Sequence, residues 1–305
     1  MKIKIVSPSG AIDPQYIDRA TEVLRGWGYG VSEAAHARGK VGRFAASDEE
    51  RVADIAEALT DPAVDMILCA RGGYGLQRII DRIPPIHKPI IGFSDITALH
   101  MLAAQTGQAT IHAMMCKGIS ETKGLSPSSC VLHPSSFLQR ALAQEPLHYE
   151  LPAHPLNRAG KIKGTLIGGN LSVLYGLQGT AYGLNERLRI KDERGGSPLI
   201  LFIEDVGERH YHIDRMMNNL RLSGVLAKIS GLIVGQFNDC EDDPSMGCTV
   251  YETIRRAVEP YHYPVVFNLP AGHVEENMPL YLNAPVEIDV REDYSSSIHS
   301  FFKSS

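Results

Sequence analysis

The sequence has 305 residues, of which 44% are hydrophobic and 21% are charged, and its formal net charge is -5. A chain of this length is expected to form two domains, each with its own core. The charge gives no reason to expect a nucleic acid or an anionic membrane as partner, and no apolar run approaches the roughly 20 residues that span a bilayer. The five cysteines are scattered without a Cys-x-x-Cys pair, so neither a zinc ribbon nor a disulfide framework is indicated.

The first third of the chain alternates short apolar runs with helical patterns, which is typical of a mostly parallel sheet with helices on both faces. The apolar part of the N-terminus is too short for a signal-peptide core, so we expect a first strand and a cytoplasmic protein. In such sheets, functional residues gather at the carboxyl ends of the strands. The predicted strands are 3–6, 64–70, 88–92 and 109–112, and the predicted helices are 13–27, one that opens at the capping box 47–50, and 97–105.

Prolines interrupt the pattern from roughly 126 to 163, apart from a predicted helix at 136–143. We interpret this stretch as the crossover between domains and expect a first domain at 1–137, a linker at 138–163 and a β-rich second domain at 164–305. Strands predominate late in the second domain. They are predicted at 199–203, 231–236, 265–268, 278–282 and 286–290, with a helix near 215–222.

A serine stands at the most informative position in the chain. An apolar strand reaches Gly92, turns at Phe93-Ser94-Asp95 and gives way to a helical pattern. A serine on such a bend exposes its hydroxyl beside free helix N–H groups, a geometry that suits a nucleophile. The alternative is that Ser94 caps the helix, since serine is favoured at that position.

Two further reactive residues end apolar strands: Glu204 after the run 198–203, and His273 after a turn that begins near Asn268. The chain order Ser…Glu…His occurs in one serine-hydrolase arrangement. A serine hydroxyl needs a base to remove its proton, and histidine with an orienting carboxylate supplies one. As alternatives, Glu204 would cap the following turn or pair with Arg209, and His273 would be a surface turn residue.

Six short motifs, taken together, resemble the LD-carboxypeptidase family of serine peptidases (the S66 type). They occur in the family's order and cover nearly the whole chain. They are Arg71-Gly-Gly-Tyr-Gly75, Gly92-Phe-Ser-Asp-Ile-Thr97, Gly168-Gly-Asn-Leu171, Glu204-Asp-Val-Gly-Glu208, Tyr211-x-Ile-Asp-Arg215 and Leu269-Pro-x-Gly-His273.

The resemblance implies a flavodoxin-like parallel-sheet N-terminal domain, a smaller β-rich C-terminal domain and a homodimer. It implies Ser94 as nucleophile, Glu204 as acid and His273 as base, with the backbone N–H groups of Asp95 and Gly73 as oxyanion donors. The implied reaction is hydrolysis of the L,D-amide that releases terminal D-alanine from murein tetrapeptide during peptidoglycan recycling. The implied enzyme needs no metal or other cofactor.

Several alternatives stay open beside this expectation. Arg71, with Gly72 and Tyr74, is a candidate for substrate binding, although a structural ion pair of Arg71 is favoured. A metallohydrolase would use His210 and His212, whose rings would share one face of a strand, with Glu204 or Asp205. A phosphate or nucleotide binder would use the glycine-rich turn 71–75. Some members of the resembled family act on peptide-nucleotide antibiotics, so that substrate also stays open.

Overall fold

The computed structural model describes residues 1–122 and 134–302. Cys130 and the proline- and serine-containing stretch 127–129, which we assigned to the crossover, lie outside the described residues. Within the described part of the chain, no helix is long and apolar enough to cross a bilayer.

The described strands form two sheets. In chain order they are β1 (Lys2–Val6), β2 (Gly30–Glu33), β3 (Met66–Cys69), β4 (Ile90–Gly92), β5 (Thr110–His112), β6 (Leu147–Leu151), β7 (Gly160–Asn170), β8 (Leu199–Val206), β9 (Gly231–Asn238), β10 (Val265–Val266), β11 (Leu280–Leu282), β12 (Ala284–Val290) and β13 (Ser296–Ser300).

Helices cover both sheets. In chain order they are α1 (Pro14–Gly26), α2 (Asp48–Thr60), α3 (Thr97–Thr106), α4 (Cys116–Glu121), α5 (Pro134–Leu142), α6 (Leu171–Gly176), α7 (Leu184–Arg194), α8 (His210–Leu222), α9 (Val225–Lys228) and α10 (Val250–Ala257). The predicted capping box is present, because Ser47 accepts from the Glu50 N–H while the Glu50 side chain accepts from the Ser47 N–H.

The first sheet has the order β2-β1-β3-β4-β5-β11. Strands β1 to β5 pair in parallel in the flavodoxin-like order 2-1-3-4-5, and β11 adds an antiparallel edge. Its central strands are apolar on both faces, as the buried Ile67, Leu68, Ile90 and Ile91 illustrate, since helices cover both sides. The parallel-sheet prediction for the N-terminal region is therefore confirmed.

The second sheet has the order β10-β9-β8-β7-β12-β13-β6. Strands β7 to β10 are parallel, whereas β12, β13 and β6 pair antiparallel. Strand β8 is buried from Leu199 through Asp205. The described residues of the C-terminal half thus form a separate β-rich sheet, as predicted.

The predicted domain limits of 1–137, 138–163 and 164–305 stay a prediction. Two strands depart from a simple division along the chain. Strand β6 lies within 138–163 and pairs with β13 of the second sheet, while β11 lies within 164–305 and extends the first sheet. The C-terminal half therefore contributes to the edge of the N-terminal sheet.

Candidate active site

Ser94 lies directly after β4, in a single 3₁₀ turn that spans Ser94–Ile96 and leads into α3. Its φ is +66°, in the left-handed region that non-glycine residues rarely adopt. Such strain costs on the order of 1–3 kcal/mol and is found at functional sites. The N-cap positions here are Phe93 and Ile96, and neither makes a side-chain capping bond, so the capping alternative for Ser94 is wrong.

The glycine-rich turn 71–75 lies against Ser94. A Cβ added to Gly72 would be 2.9 Å from the Ser94 Cβ and 3.1 Å from its Oγ, so only glycine fits without a shift. Gly73 has a φ of +109°, which also requires glycine. The Gly72 carbonyl accepts a hydrogen bond from the Gly10 N–H at 3.1 Å, which ties this turn to the segment after β1.

The Asp95 carboxylate has a role that the sequence analysis missed. It is buried, and its Oδ2 accepts from the Ser9 hydroxyl at 2.5 Å and from the Leu76 N–H at 3.0 Å. Burial raises the pKa of this carboxyl, and the two hydrogen bonds oppose the rise. Asp95 therefore joins the serine turn to the two segments on either side of it.

Glu204 and His273 are in direct contact. The Oε2 atom of Glu204 lies 2.8 Å from His273 Nδ1, and the glutamate is fully buried while the imidazole is one-fifth exposed. Gly272, at φ +127°, permits this approach, because a Cβ there would be 2.8 Å from the same Oε2. Arg209, the alternative partner of Glu204, is exposed at the N-cap position of α8.

Phe93 connects the serine turn to the histidine. Its ring lies edge-on to the His273 ring, with ring centroids 4.8 Å apart. It also lies edge-on to the His112 ring, with ring centroids 5.8 Å apart. Since Phe93 directly precedes Ser94, this ring contact links the serine turn to His273, the residue that Glu204 also contacts.

Asp205, the neighbour of Glu204, has different hydrogen-bond partners. Its carboxylate accepts from the Asn170 side-chain amide at 2.9 Å and from the Ser172 N–H at 2.8 Å. Burial and the nearby Glu204 charge raise the pKa of Asp205 to about 7. Asn170 in turn donates its N–H to Thr97 Oγ1 at 2.9 Å, at the start of α3.

The candidate substrate-binding residues lie at the rim. Arg71 donates from Nη1 to the Ala11 carbonyl at 2.8 Å, a contact consistent with the structural role that we favoured. Tyr74 is exposed, with its ring 6.0 Å from that of Phe44 and the Arg43 guanidinium 5.5 Å from its centroid. An aromatic and cationic surface therefore lies beside the turn that contacts Ser94.

The strand prediction for His210 and His212 is wrong, because both begin α8, where residues two apart point in different directions. His210 Nε2 lies 2.7 Å from Thr253 Oγ1, and His212 Nδ1 lies 2.9 Å from Glu208. Among residues 1–122 and 134–302, no group of three or more His, Cys, Asp or Glu side chains is placed to hold a metal ion.

A cavity of about 240 Å³ between α8 and α10 is lined by none of the predicted site residues.

Comparison with known proteins places these features in one family. A family model described as the LD-carboxypeptidase N-terminal domain matches residues 3–113, and one described as the LD-carboxypeptidase C-terminal domain matches residues 163–288. A probable murein peptide carboxypeptidase of Bacillus subtilis is 33% identical over 78% of this chain and 72% of its own length.

Two solved structures share the fold over nearly all of both chains. The muramoyltetrapeptide carboxypeptidase from Oxalobacter formigenes has a TM-score of 0.84 and 25% identity, with 100% of each chain covered. MccF in complex with glutamyl sulfamoyl guanosine has a TM-score of 0.80 and 20% identity, with 99% of this chain and 97% of the other covered. With both domain models matched in order across most of its length, this chain belongs to the LD-carboxypeptidase family.

Proposed function

We propose that this enzyme is a serine-type L,D-carboxypeptidase that hydrolyses the amide between an L-configured diamino acid and the terminal D-alanine of murein tetrapeptide. In this proposal Ser94 is the nucleophile, His273 the general base and Glu204 the residue that orients the base. The family membership and the murein-directed names of two similar proteins support the substrate class.

The observation that carries the proposal is the 2.8 Å contact between Glu204 Oε2 and His273 Nδ1. A buried carboxylate that accepts from Nδ1 fixes the hydrogen on that nitrogen and leaves Nε2 unprotonated. His273 also packs on Phe93, whose neighbour Ser94 has left-handed backbone. In this proposal the tautomer favoured by Glu204 leaves Nε2 of His273 to act on Ser94, the residue that follows Phe93.

In the first half of the reaction, Nε2 of His273 takes the Ser94 hydroxyl proton as Oγ bonds to the substrate carbonyl carbon. The carbonyl oxygen becomes an oxyanion, for which the N–H groups of Asp95 and Gly73 are the proposed donors. Collapse of this intermediate breaks the C–N bond, and the imidazolium gives its proton to the departing D-alanine amine.

In the second half, a water molecule attacks the acyl-enzyme and His273 accepts its proton. The acyl–oxygen bond breaks, the proton returns to Ser94 Oγ, and the shortened peptide leaves with a new carboxylate. The Glu204 carboxylate stabilises the imidazolium in both halves without itself becoming protonated. No step uses a metal or other cofactor.

The proposal includes a homodimer in the cytoplasm, where muropeptides are recycled. Both statements rest on the family resemblance. Light scattering during gel filtration tests the dimer, and cell fractionation tests the compartment. A monomer at micromolar concentration or a secreted protein would contradict them.

The decisive experiment measures D-alanine release from purified murein tetrapeptide by mass spectrometry. Ser94→Ala should lower turnover on the order of 10⁴-fold or more, because members of a cooperating triad act as a unit. Ser120→Ala is the matched control, since the hydroxyl of this buried serine donates to the Lys117 carbonyl on α4.

Two results would contradict the proposal. Near wild-type release by folded Ser94→Ala would remove the nucleophile assignment. Cleavage of glutamyl sulfamoyl guanosine without cleavage of tetrapeptide would retain the serine chemistry and overturn the substrate.

A further inference from the structure

Two buried charged side chains, Arg51 and Asp95, lie on either side of the glycine-rich turn. Arg51 comes from α2 and is 1% exposed, and Asp95 follows the proposed nucleophile and is 3% exposed. A charge held away from water is costly unless hydrogen bonds compensate it. The bonds that these two groups make are therefore informative.

Both charges hold the same peptide unit. The Gly75 carbonyl accepts from Arg51 Nη1 at 3.2 Å, and the N–H of the next residue, Leu76, donates to Asp95 Oδ2 at 3.0 Å. Because a peptide unit is planar, fixing its oxygen and its hydrogen fixes the orientation of the whole plane. The cation and the anion thus set how the chain leaves the glycine-rich turn.

The same atoms hold the segment after β1. Arg51 Nη1 also donates to the Pro8 carbonyl, and Asp95 Oδ2 accepts from the Ser9 hydroxyl, each at 2.5 Å. The next residue, Gly10, donates its N–H to the Gly72 carbonyl. Two separate loops are therefore fixed against each other by one buried cation and one buried anion.

Arg51 is itself held in place. Its Nη2 donates to Asp48 one turn earlier on α2, and its guanidinium lies 5.0 Å from the centroid of the Phe44 ring. Gly75 leaves room for it, since a Cβ there would be 2.9 Å from Arg51 Nη1. Contacts to Asp48 and Phe44, which lie outside the turn, therefore help to position the cation.

We propose that Arg51 and Asp95 are positioning residues that hold the 72–76 turn in the orientation in which it stabilises the oxyanion formed at Ser94. This inference rests on the proposed function. It adds a positioning role for a buried pair of charges to the roles proposed for the reacting residues. The pair orients the backbone beside those residues.

The expected signature lies in turnover and not in substrate affinity. Oxyanion donors act on charge that exists only in the transition state, so misplacing them lowers kcat while KM changes little. Loss of one such donor costs on the order of 10²–10³-fold in kcat. We expect a loss approaching this size from Asp95→Ala, which removes both bonds to Oδ2, and from Arg51→Met.

Asp95→Asn is the conservative variant. Both bonds to Asp95 are accepted by one oxygen, Oδ2, and an amide oxygen can accept the same two. This variant should recover most of the turnover lost in Asp95→Ala. Asp54→Ala is the matched control, because Asp54 is also a buried acid on α2 but bonds His36 and not the glycine-rich turn. It should lower the melting temperature without lowering kcat.

Three measurements separate this inference from the proposed function. The first is kcat and KM with tetrapeptide, the second is the rate at which a fluorophosphonate labels Ser94, and the third is hydrogen exchange at the Leu76 amide. The fluorophosphonate needs no particular peptide, and amide exchange needs no catalysis at all. If wild-type protein neither cleaves tetrapeptide nor becomes labelled, the proposed function fails. Hydrogen exchange at the Leu76 amide then tests by itself whether Arg51 and Asp95 hold the turn.

Faster Leu76 exchange in Asp95→Ala, together with slower labelling and unchanged KM, would support the inference. Unchanged Leu76 exchange would overturn it. So would a lower melting temperature with unchanged kcat, which would mean that the two charges serve stability only.

Discussion

Replacing Glu204 by glutamine should lower kcat by on the order of 10³–10⁴-fold. The two oxygens of Glu204 differ: Oε2 contacts His273 Nδ1, whereas Oε1 is buried without a hydrogen-bond partner among the described residues. An amide nitrogen in the Oε1 position would be left unsatisfied, at a cost of about 1–3 kcal/mol. We therefore expect the nitrogen to face Nδ1 and donate to it.

That orientation places the imidazole hydrogen on Nε2, the nitrogen that must accept the Ser94 proton. The wrong tautomer of a triad histidine costs about 10⁴-fold in kcat, or about 5 kcal/mol in the activation barrier. The glutamine side chain would have little space to move away from this arrangement. Gly235 lies so close that a Cβ added to it would be 3.2 Å from the Glu204 Cβ. The effect should appear in kcat with KM nearly unchanged.

The assay is steady-state D-alanine release, with circular dichroism to verify folding. Asp205→Asn is the matched control, because it removes the adjacent buried carboxylate while its bonds run to Asn170 and Ser172. We expect less than about a tenfold change in kcat from it, as it makes no contact with the proposed base. Turnover of Glu204→Gln within tenfold of wild type would refute the tautomer argument.

Two further predictions concern packing and pH. Gly72→Ala should lower kcat by roughly 10²-fold without unfolding the protein, because its Cβ would displace the Ser94 hydroxyl, whereas Gly26→Ala, with nothing within 4 Å, should leave kcat unchanged. Burial lowers the pKa of His100 from 6.5 to about 4, so the unfolded chain binds its proton first and stability is lost as pH falls from about 6.5 through 4. The full effect is about 3 kcal/mol, and His100→Gln, which keeps a donor for the Gly92 carbonyl, should show a shallower decline in urea titrations between pH 7 and 4. Equal slopes for the two proteins would contradict this assignment.

The sequence predicted well those features that depend on local chemistry. The capping box at Ser47 and Glu50 requires only residues three apart, and the buried strands of the first sheet require only apolar runs. Ser94, Glu204 and His273 each follow such a run and were chosen for that reason. Their common location followed from the rule that active sites form at carboxyl strand ends.

Other features depend on contacts between distant segments and left no local signal. Strand β11 pairs with β5 across roughly half the chain, and the Asp95 carboxylate reaches Ser9 and Leu76. The helical conformation of His210 was missed because His-x-His alternation fits either a strand or a helix start. The partners of Asp95 could be sought only once the structure showed that its carboxylate is buried, since an uncompensated buried charge is costly.

Direct contacts join the two halves of the chain at several places. The proposed nucleophile and base come from different halves of the chain, and direct hydrogen bonds join these halves. The Asn170 N–H donates to Thr97 Oγ1, and Asn283 donates from its side chain to the His100 carbonyl at 2.9 Å.

Gly169 strengthens this connection, because a Cβ there would be 2.4 Å from Thr97 Oγ1, closer than atoms can approach. The carboxyl end of β7 therefore lies directly on the first residue of α3, three residues after Ser94. Strand β11, from the C-terminal half, also pairs with β5 of the N-terminal half. The proposed nucleophile therefore precedes a helix that short contacts fix to the other half of the chain, and positioning of this kind before substrate arrives is expected to act on kcat more than on affinity.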